Sequence, residues 1–202
     1  MSEAEPAVPA LVSEPRLLIG EGVEEVLFFT AMLKHLGITG VQVEQYSGKA
    51  ELAPYLRTLK VRPGFSQLRV LHITRDADDS PEAASASVAD AVQRAGFPAS
   101  VVVRTLLLPG AGRQGALEHL CLEAIAGQPI EQCVDDYFGC VRRVTSVDLT
   151  CGTWRAKARI HAWLAAQERP DLRLGEAAAK GYIAWSAPAF HELKGFLRRL
   201  VE

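Results

Sequence analysis

Arg16-Leu17-Leu18-Ile19-Gly20-Glu21-Gly22-Val23-Glu24-Glu25 is the stretch whose reading decides the fold. An apolar run ends in a glutamate held between two glycines, and the chain then changes period. Val26, Leu27, Phe28, Met32 and Leu33 recur at helical spacing, which predicts a helix over about 23–36 with Gly37 as its C-cap. A strand that stops at a charge and turns at once into a helix is the first half of a β-α-β unit.

Working outward, Val41 to Gln45 reads as a second short strand, and the loop Tyr46 to Lys49 opens a helix through Leu52, Tyr55, Leu56 and Leu59. Pro63-Gly64 breaks that helix. Leu68 to Thr74 is apolar on both faces, as in a parallel sheet covered on two sides. Ser80-Pro81-Glu82 carries a cap and a first-turn proline, Val88, Ala91, Val92 and Ala95 give the following helix its stripe, and Gly96 stops it. Ser100 to Leu108 is the fourth strand.

The order β-α-β-α-β-α-β predicts an α/β, Rossmann-like, open and mainly parallel four-stranded sheet over 15–115. In such sheets ligands bind outside the carboxyl ends of the strands. Past residue 115 the periodicity is helical: 116–126, 130–144, 154–167, 174–180 and 189–201. This C-terminal helical extension, 116–202, is expected to pack on the core within the same domain. Residues 1–14, rich in acids, alanine and proline without a basic start or an apolar centre, read as a disordered lead-in and not as a signal peptide.

Of the chain's 202 residues, 49% are hydrophobic, and no apolar run reaches the roughly 20 residues of a transmembrane helix, so no membrane association is expected. Cys121, Cys133, Cys140 and Cys151 form no Cys-x-x-Cys pair and match no zinc spacing. They read as buried free thiols, Cys133 and Cys140 on one helix face with Val134, Tyr137 and Val141, and imply a cytoplasmic protein. The net charge of −2 hides an acidic front half and a base-rich stretch over 142–199. Acids for a cation and bases for a polyanion suit a phosphate-handling enzyme, as well as an ordinary solvated surface.

The acids at the strand ends carry the chemistry. Glu21 follows the first strand, and Asp76, Asp78 and Asp79 follow the third, so the topology brings them to one sheet edge. Two carboxylates 4 Å apart repel by roughly 4 kcal/mol at an effective dielectric of about 20, and a divalent cation removes that repulsion. Oxygen-only donors select Mg²⁺ or Mn²⁺; a solvated acidic loop is the plain alternative. Glu118, opening the helix after the fourth strand, reaches the same edge or merely suits the helix dipole. Lys49, Arg113, Lys157 and Lys180 are candidates to neutralise a phosphate, and Arg155 and Arg159, one turn apart, to contact a backbone. Gly110-x-Gly112-x-x-Gly115 nominally matches a dinucleotide-binding loop but follows the wrong strand, and reads as a flexible loop beside the acids.

Glu21-Gly22-Val23-Glu24-Glu25 after one strand and Asp76-Ala77-Asp78 after a later one resemble the Toprim domain of topoisomerases, bacterial primases and the overcoming-lysogenization-defect (OLD) nucleases. A closer resemblance, resting on Gly115-Ala116-Leu117-Glu118, the cysteine-bearing helix and the tail Ala179-Lys180-Gly181-Tyr182 with Pro188-Ala189-Phe190, is to small stand-alone Toprim-like proteins related to those nucleases. The resemblance implies Glu21 as acid/base and metal ligand, Asp76 and Asp78 as ligands of Mg²⁺ or Mn²⁺, and Glu25 and Asp79 as outlying or second-metal acids. It further implies Glu118 as a second-metal ligand and Lys180 as the distal catalytic lysine. Asp79-Ser80-Pro81 stands where primases and topoisomerases carry a glycine, which favours the nuclease-like branch. The expected activity is divalent-metal-dependent phosphodiester hydrolysis on nucleic acid, with Lys49, Arg113 and Lys157 on the substrate. The alternative is a non-catalytic metal- or nucleotide-binding module of a bacterial defence or toxin system, and a homo-oligomer or a partner protein fits either.

Overall fold

The structure, a computed structural model, describes residues 11–145 and 153–202. Four strands, β1 (Arg16–Gly20), β2 (Gln42–Gln45), β3 (Val70–Asp76) and β4 (Val102–Leu108), form one all-parallel open sheet in the order β2-β1-β3-β4. The crossovers are helical: α1 (Val23–His35), α2 (Leu52–Leu59) and α3 (Pro81–Ala95). Five helices follow: α4 (Leu117–Ile125), α5 (Ile130–Val144), α6 (Thr153–Ala165), α7 (Leu174–Ala179) and α8 (His191–Arg198). The expected architecture is therefore the observed one.

Alternation along β1 sorts the core into two layers. Leu17 and Ile19 meet Leu52, Leu56 and Leu59 of α2 and Val88, Ala91 and Ala95 of α3 on one face. Leu18 meets Phe28, Phe29 and Met32 of α1, together with Leu117, Leu120, Trp163, Ala177 and Phe196 from the C-terminal helices, on the other. The extension thus shares its core with α1. At about 25 cal/mol per Å² of apolar surface, helices of this kind are held chiefly by that shared face, since α7 has only 6 residues and could not persist alone. Gly175 shows how close the packing is: a Cβ there would lie 2.4 Å from the Leu27 Cβ and 2.6 Å from the Phe28 backbone nitrogen. Only a residue without a side chain lets α7 lie directly on α1.

Three expectations change. Within the expected disordered lead-in, residues 11–14 are docked: Val12 is fully buried, its N–H donates to the Pro63 carbonyl at 3.0 Å, and the Ser13 N–H donates to Gln42 Oε1 at 2.8 Å. Apolar burial and backbone pairing outweigh the composition of the segment; residues 1–10 lie outside the described residues. The third strand ends at Asp76 rather than Thr74, so this acid is part of the sheet. Cys121 is buried as expected, but Cys133 and Cys140 are exposed, because α5 turns Val134 rather than the cysteines toward the core. Cys151 lies outside the described residues. Among those residues no helix is long and apolar enough to cross a membrane.

Candidate functional site

The strand order creates a crevice. From β1 the chain steps outward to β2, then returns across β1 to β3 on its other side, so the loops leaving β1 and β3 part in opposite directions. Such a topological switch point is where open parallel sheets bind ligands. A pocket of about 420 Å³ opens there, lined by Glu21, Gly22, Val23, Glu24, Glu25, Gln45, Ser47, Gly48, Asp76, Leu117, Glu118 and Lys157.

Local chemistry explains how each acid arrives. Glu21 is the first residue past β1, and the Gly48 N–H donates to its carbonyl at 2.9 Å while the Tyr46 N–H donates to the Gly20 carbonyl at 3.0 Å, which clamps the β2 loop beside it. Glu25, in the first turn of α1, folds back so that Oε2 accepts the Gly22 N–H at 2.9 Å. Gly20 makes room for that fold: a Cβ there would lie 2.6 Å from the Glu25 Cβ. The flanking Gly22 is extended at φ −146° and leaves a looser 3.3 Å to Glu25 Oε2, so the tighter demand falls on Gly20. Asp76 ends β3 and accepts the Leu117 N–H at 3.1 Å, joining the third strand to the start of α4 and bringing Glu118 into the pocket.

Burial first, and like charge after it, favours the protonated form of these acids. Burial, then the charges of Glu25, Glu118 and Glu21, push Asp76 up to about 8, with the Leu117 N–H pulling weakly the other way. Glu21 is raised by burial and by Asp78, against Arg75, Lys157 and Lys49. Glu25 is raised chiefly by burial, with Glu118 and Glu21 adding to it. Glu21 Oε2 and Glu24 Oε2 are buried without a hydrogen-bond partner. A buried oxygen with no donor is an unmet demand for positive charge or a proton. The donor set is all carboxylate, which fits a hard cation such as Mg²⁺ or Mn²⁺. Among the described residues, however, no three His, Cys, Asp or Glu side chains already stand together as a metal-ligand group. Asp76 is committed to the Leu117 N–H, Glu25 to the Gly22 N–H and Asp78 to Lys49.

The structure therefore brings Glu21, Glu25, Asp76, Glu118 and Lys157 together, the Lys157 Nζ lying 4.0 Å from Glu118 Oε1. Asp78 leaves the strand, adopts φ +50° and pairs as an isolated antiparallel bridge with Gly115, so its carboxylate meets Lys49 Nζ at 3.2 Å at the margin of the pocket. Asp79 gives its carbonyl to the Gln114 side chain, and Arg113 binds Glu123 at 2.5 Å, away from the lining. Lys180 caps α7, exposed, and does not line the pocket. Arg159 pairs with Asp135 of α5. Sequence reasoning missed two residues. Glu24 lines the pocket with its orphaned oxygen and lies 3.9 Å from Arg173 Nε, and its signal was its place beside Glu25 in the first turn. Arg75, buried in β3, lowers the Glu21 carboxyl and donates to Ser87 Oγ at 2.9 Å.

Comparison with curated proteins and with solved structures finds no match. A family model described as a protein of unknown function, DUF3226, matches residues 15–202.

Proposed function

The chain belongs to the DUF3226 family over residues 15–202, and from its own pocket we propose that it is a Mg²⁺- or Mn²⁺-dependent phosphodiester hydrolase acting on nucleic acid. The observation that carries this reading is the convergence of Glu21, Glu24, Glu25, Asp76 and Glu118 with Lys157 in one crevice at the switch point of the sheet. The resemblance of the Glu21–Glu25 and Asp76–Asp78 stretches to Toprim nucleases supports it.

A bound divalent cation supplies Lewis acidity and lowers the pKa of water. Asp76, Glu25 and Glu118 are the residues that would hold it, with Glu21 and Glu24 offering the unpaired oxygens. Glu21, whose carboxyl is raised from its ordinary value by burial and by the Asp78 charge, lines the pocket as the acid/base candidate, suited to take and return a proton. Lys157 in the pocket lining, 4.0 Å from Glu118, and Lys49 at the margin, paired with Asp78, supply the positive charge that would oppose a phosphodiester. The half-buried pocket excludes part of the solvent, which strengthens each of these interactions.

The test incubates the protein with plasmid and with short single strands in Mn²⁺ and compares Asp76→Ala. Cleavage that disappears in the variant supports the hydrolase. No cleavage of any substrate, combined with calorimetric binding of Mn²⁺ or a nucleotide, makes the pocket that of a non-catalytic binding module. Absence of Mn²⁺ binding in calorimetry removes the cation from both readings.

A further inference from the structure

Helix α5 carries a stripe that no other part of the described chain covers. Cys133, Tyr137, Cys140 and Val144 follow one another by four, three and four residues, the spacing of a helix-pairing seam. All four are exposed, Tyr137 at 58% and Val144 at 73%. The helix is nevertheless anchored: Val134 is buried and Phe138 packs on the core, so the stripe is a second apolar face and not the inner one turned outward. Beside it lies an apolar groove of about 580 Å³, where Tyr137 and Cys133 face Ala158 and Ala162 of α6, small residues that let a further helix approach.

The charges identify the occupant. Asp136 and Arg143 are seven residues apart and exposed, so they stand at the same position of successive heptads on the outer flank of the stripe. In a parallel pair that flank would face the opposite one, which is occupied by Val134 and Val141. In an antiparallel pair it faces its own reversed image, and Asp136 of each helix then meets Arg143 of the other, twice over. This is the self-complementarity of an isologous interface about a two-fold axis. We propose that the Cys133–Val144 stripe of α5 is the interface for a second copy of this chain, packed antiparallel with Asp136 opposite Arg143.

The proposal is independent of the pocket's chemistry, and its test reads association rather than activity. Sedimentation of the full chain across about 1–100 µM should give a dimer, in the ordinary range of protein association. Asp136→Arg and Arg143→Asp should each place like charges across the seam and weaken the dimer about tenfold or more, with an unchanged circular dichroism spectrum. Mixing the two variants should restore the dimer as a heterodimer, a rescue that misfolding cannot imitate. In a Cys151→Ser background, thiol reagent should modify Cys133 and Cys140 quickly in either variant alone and slowly in the mixture. A chain that stays monomeric at the highest concentration, or binds only a helix of another protein there, overturns the proposal. Variants that dimerise as well as the parent, or a mixture that stays monomeric, overturn it equally.

Discussion

Asp76→Asn removes the most strongly perturbed charge of the pocket while leaving an oxygen to accept the Leu117 N–H. Asp76 is 7% exposed, and its carboxyl moves from an ordinary 3.8 to about 8 in the folded protein. The sign follows from proton counting. Between these values the folded chain binds a proton that the unfolded chain has released, so stability is fully present below pH 4 and is lost as pH rises toward 8. At pH 7 the gap is about three pH units, which at 1.36 kcal/mol each is about 4 kcal/mol as a ceiling. Glu25 and Glu21, also raised, slope the same way. In chelator, urea or thermal unfolding of the parent should therefore weaken from pH 5 to pH 8, whereas Asp76→Asn should be flatter and more stable at the upper end. The ceiling corresponds to about 8–16 °C in Tm for a chain of this size. Adding Mn²⁺ should reverse the ranking, because the cation takes the place of the proton on the parent and finds one fewer charge on the variant. Parallel stability curves for the two proteins across pH 5–8 would refute the reasoning.

Gly20→Ala should force the Glu25 Cβ, 2.6 Å away, to retreat, destabilising by about 1–3 kcal/mol and weakening Mn²⁺ binding, as calorimetry on the folded variant would read. Gly175→Ala meets the α1 backbone as well as the Leu27 Cβ and should lower Tm by a similar energy without changing cation affinity. Lys157→Met should raise KM for a phosphodiester by about tenfold, the loss of one charged contact of about 1.4 kcal/mol, and leave cation affinity equal or higher, since Glu118 loses a competing charge. Lys180→Ala should leave turnover unchanged, because the residue does not line the pocket; a large loss in that variant would mean that α7 moves during catalysis.

Glu21 and Asp76 were legible in the sequence because each stands where an apolar run meets a turn, and a parallel sheet sends all such positions to one edge. Glu118 was legible for a related reason, a helix that starts directly after the fourth strand's loop. The Asp-x-Asp spacing alone could not tell where its second acid points, since two residues share a face only while the strand continues; β3 stops at Asp76, and Asp78, at positive φ, meets Lys49 while its charge still acts on Glu21. Lys180 and Arg113 were beyond reach, because hydrophobic period gives a helix its inner face but not the direction in which its ends point. The cysteines of α5 failed for a different cause. The apolar arc of that helix is wider than the part that packs on the core, Val134 with Ile130 and Phe138, so pattern could not tell which part of it the core would take.

The pocket's lining runs from Glu21 to Lys157, so no short segment holds it. During synthesis the acids after β1 and β3 leave the ribosome well before α4 delivers Glu118, and α6 with its lysine comes later still. Until then the nascent chain displays carboxylates without the wall that opposes them. The crevice is thereby completed only when α6 arrives, and because the helices from α6 onward also cover α1, a truncation ahead of α6 should lose the packed core together with the lysine wall.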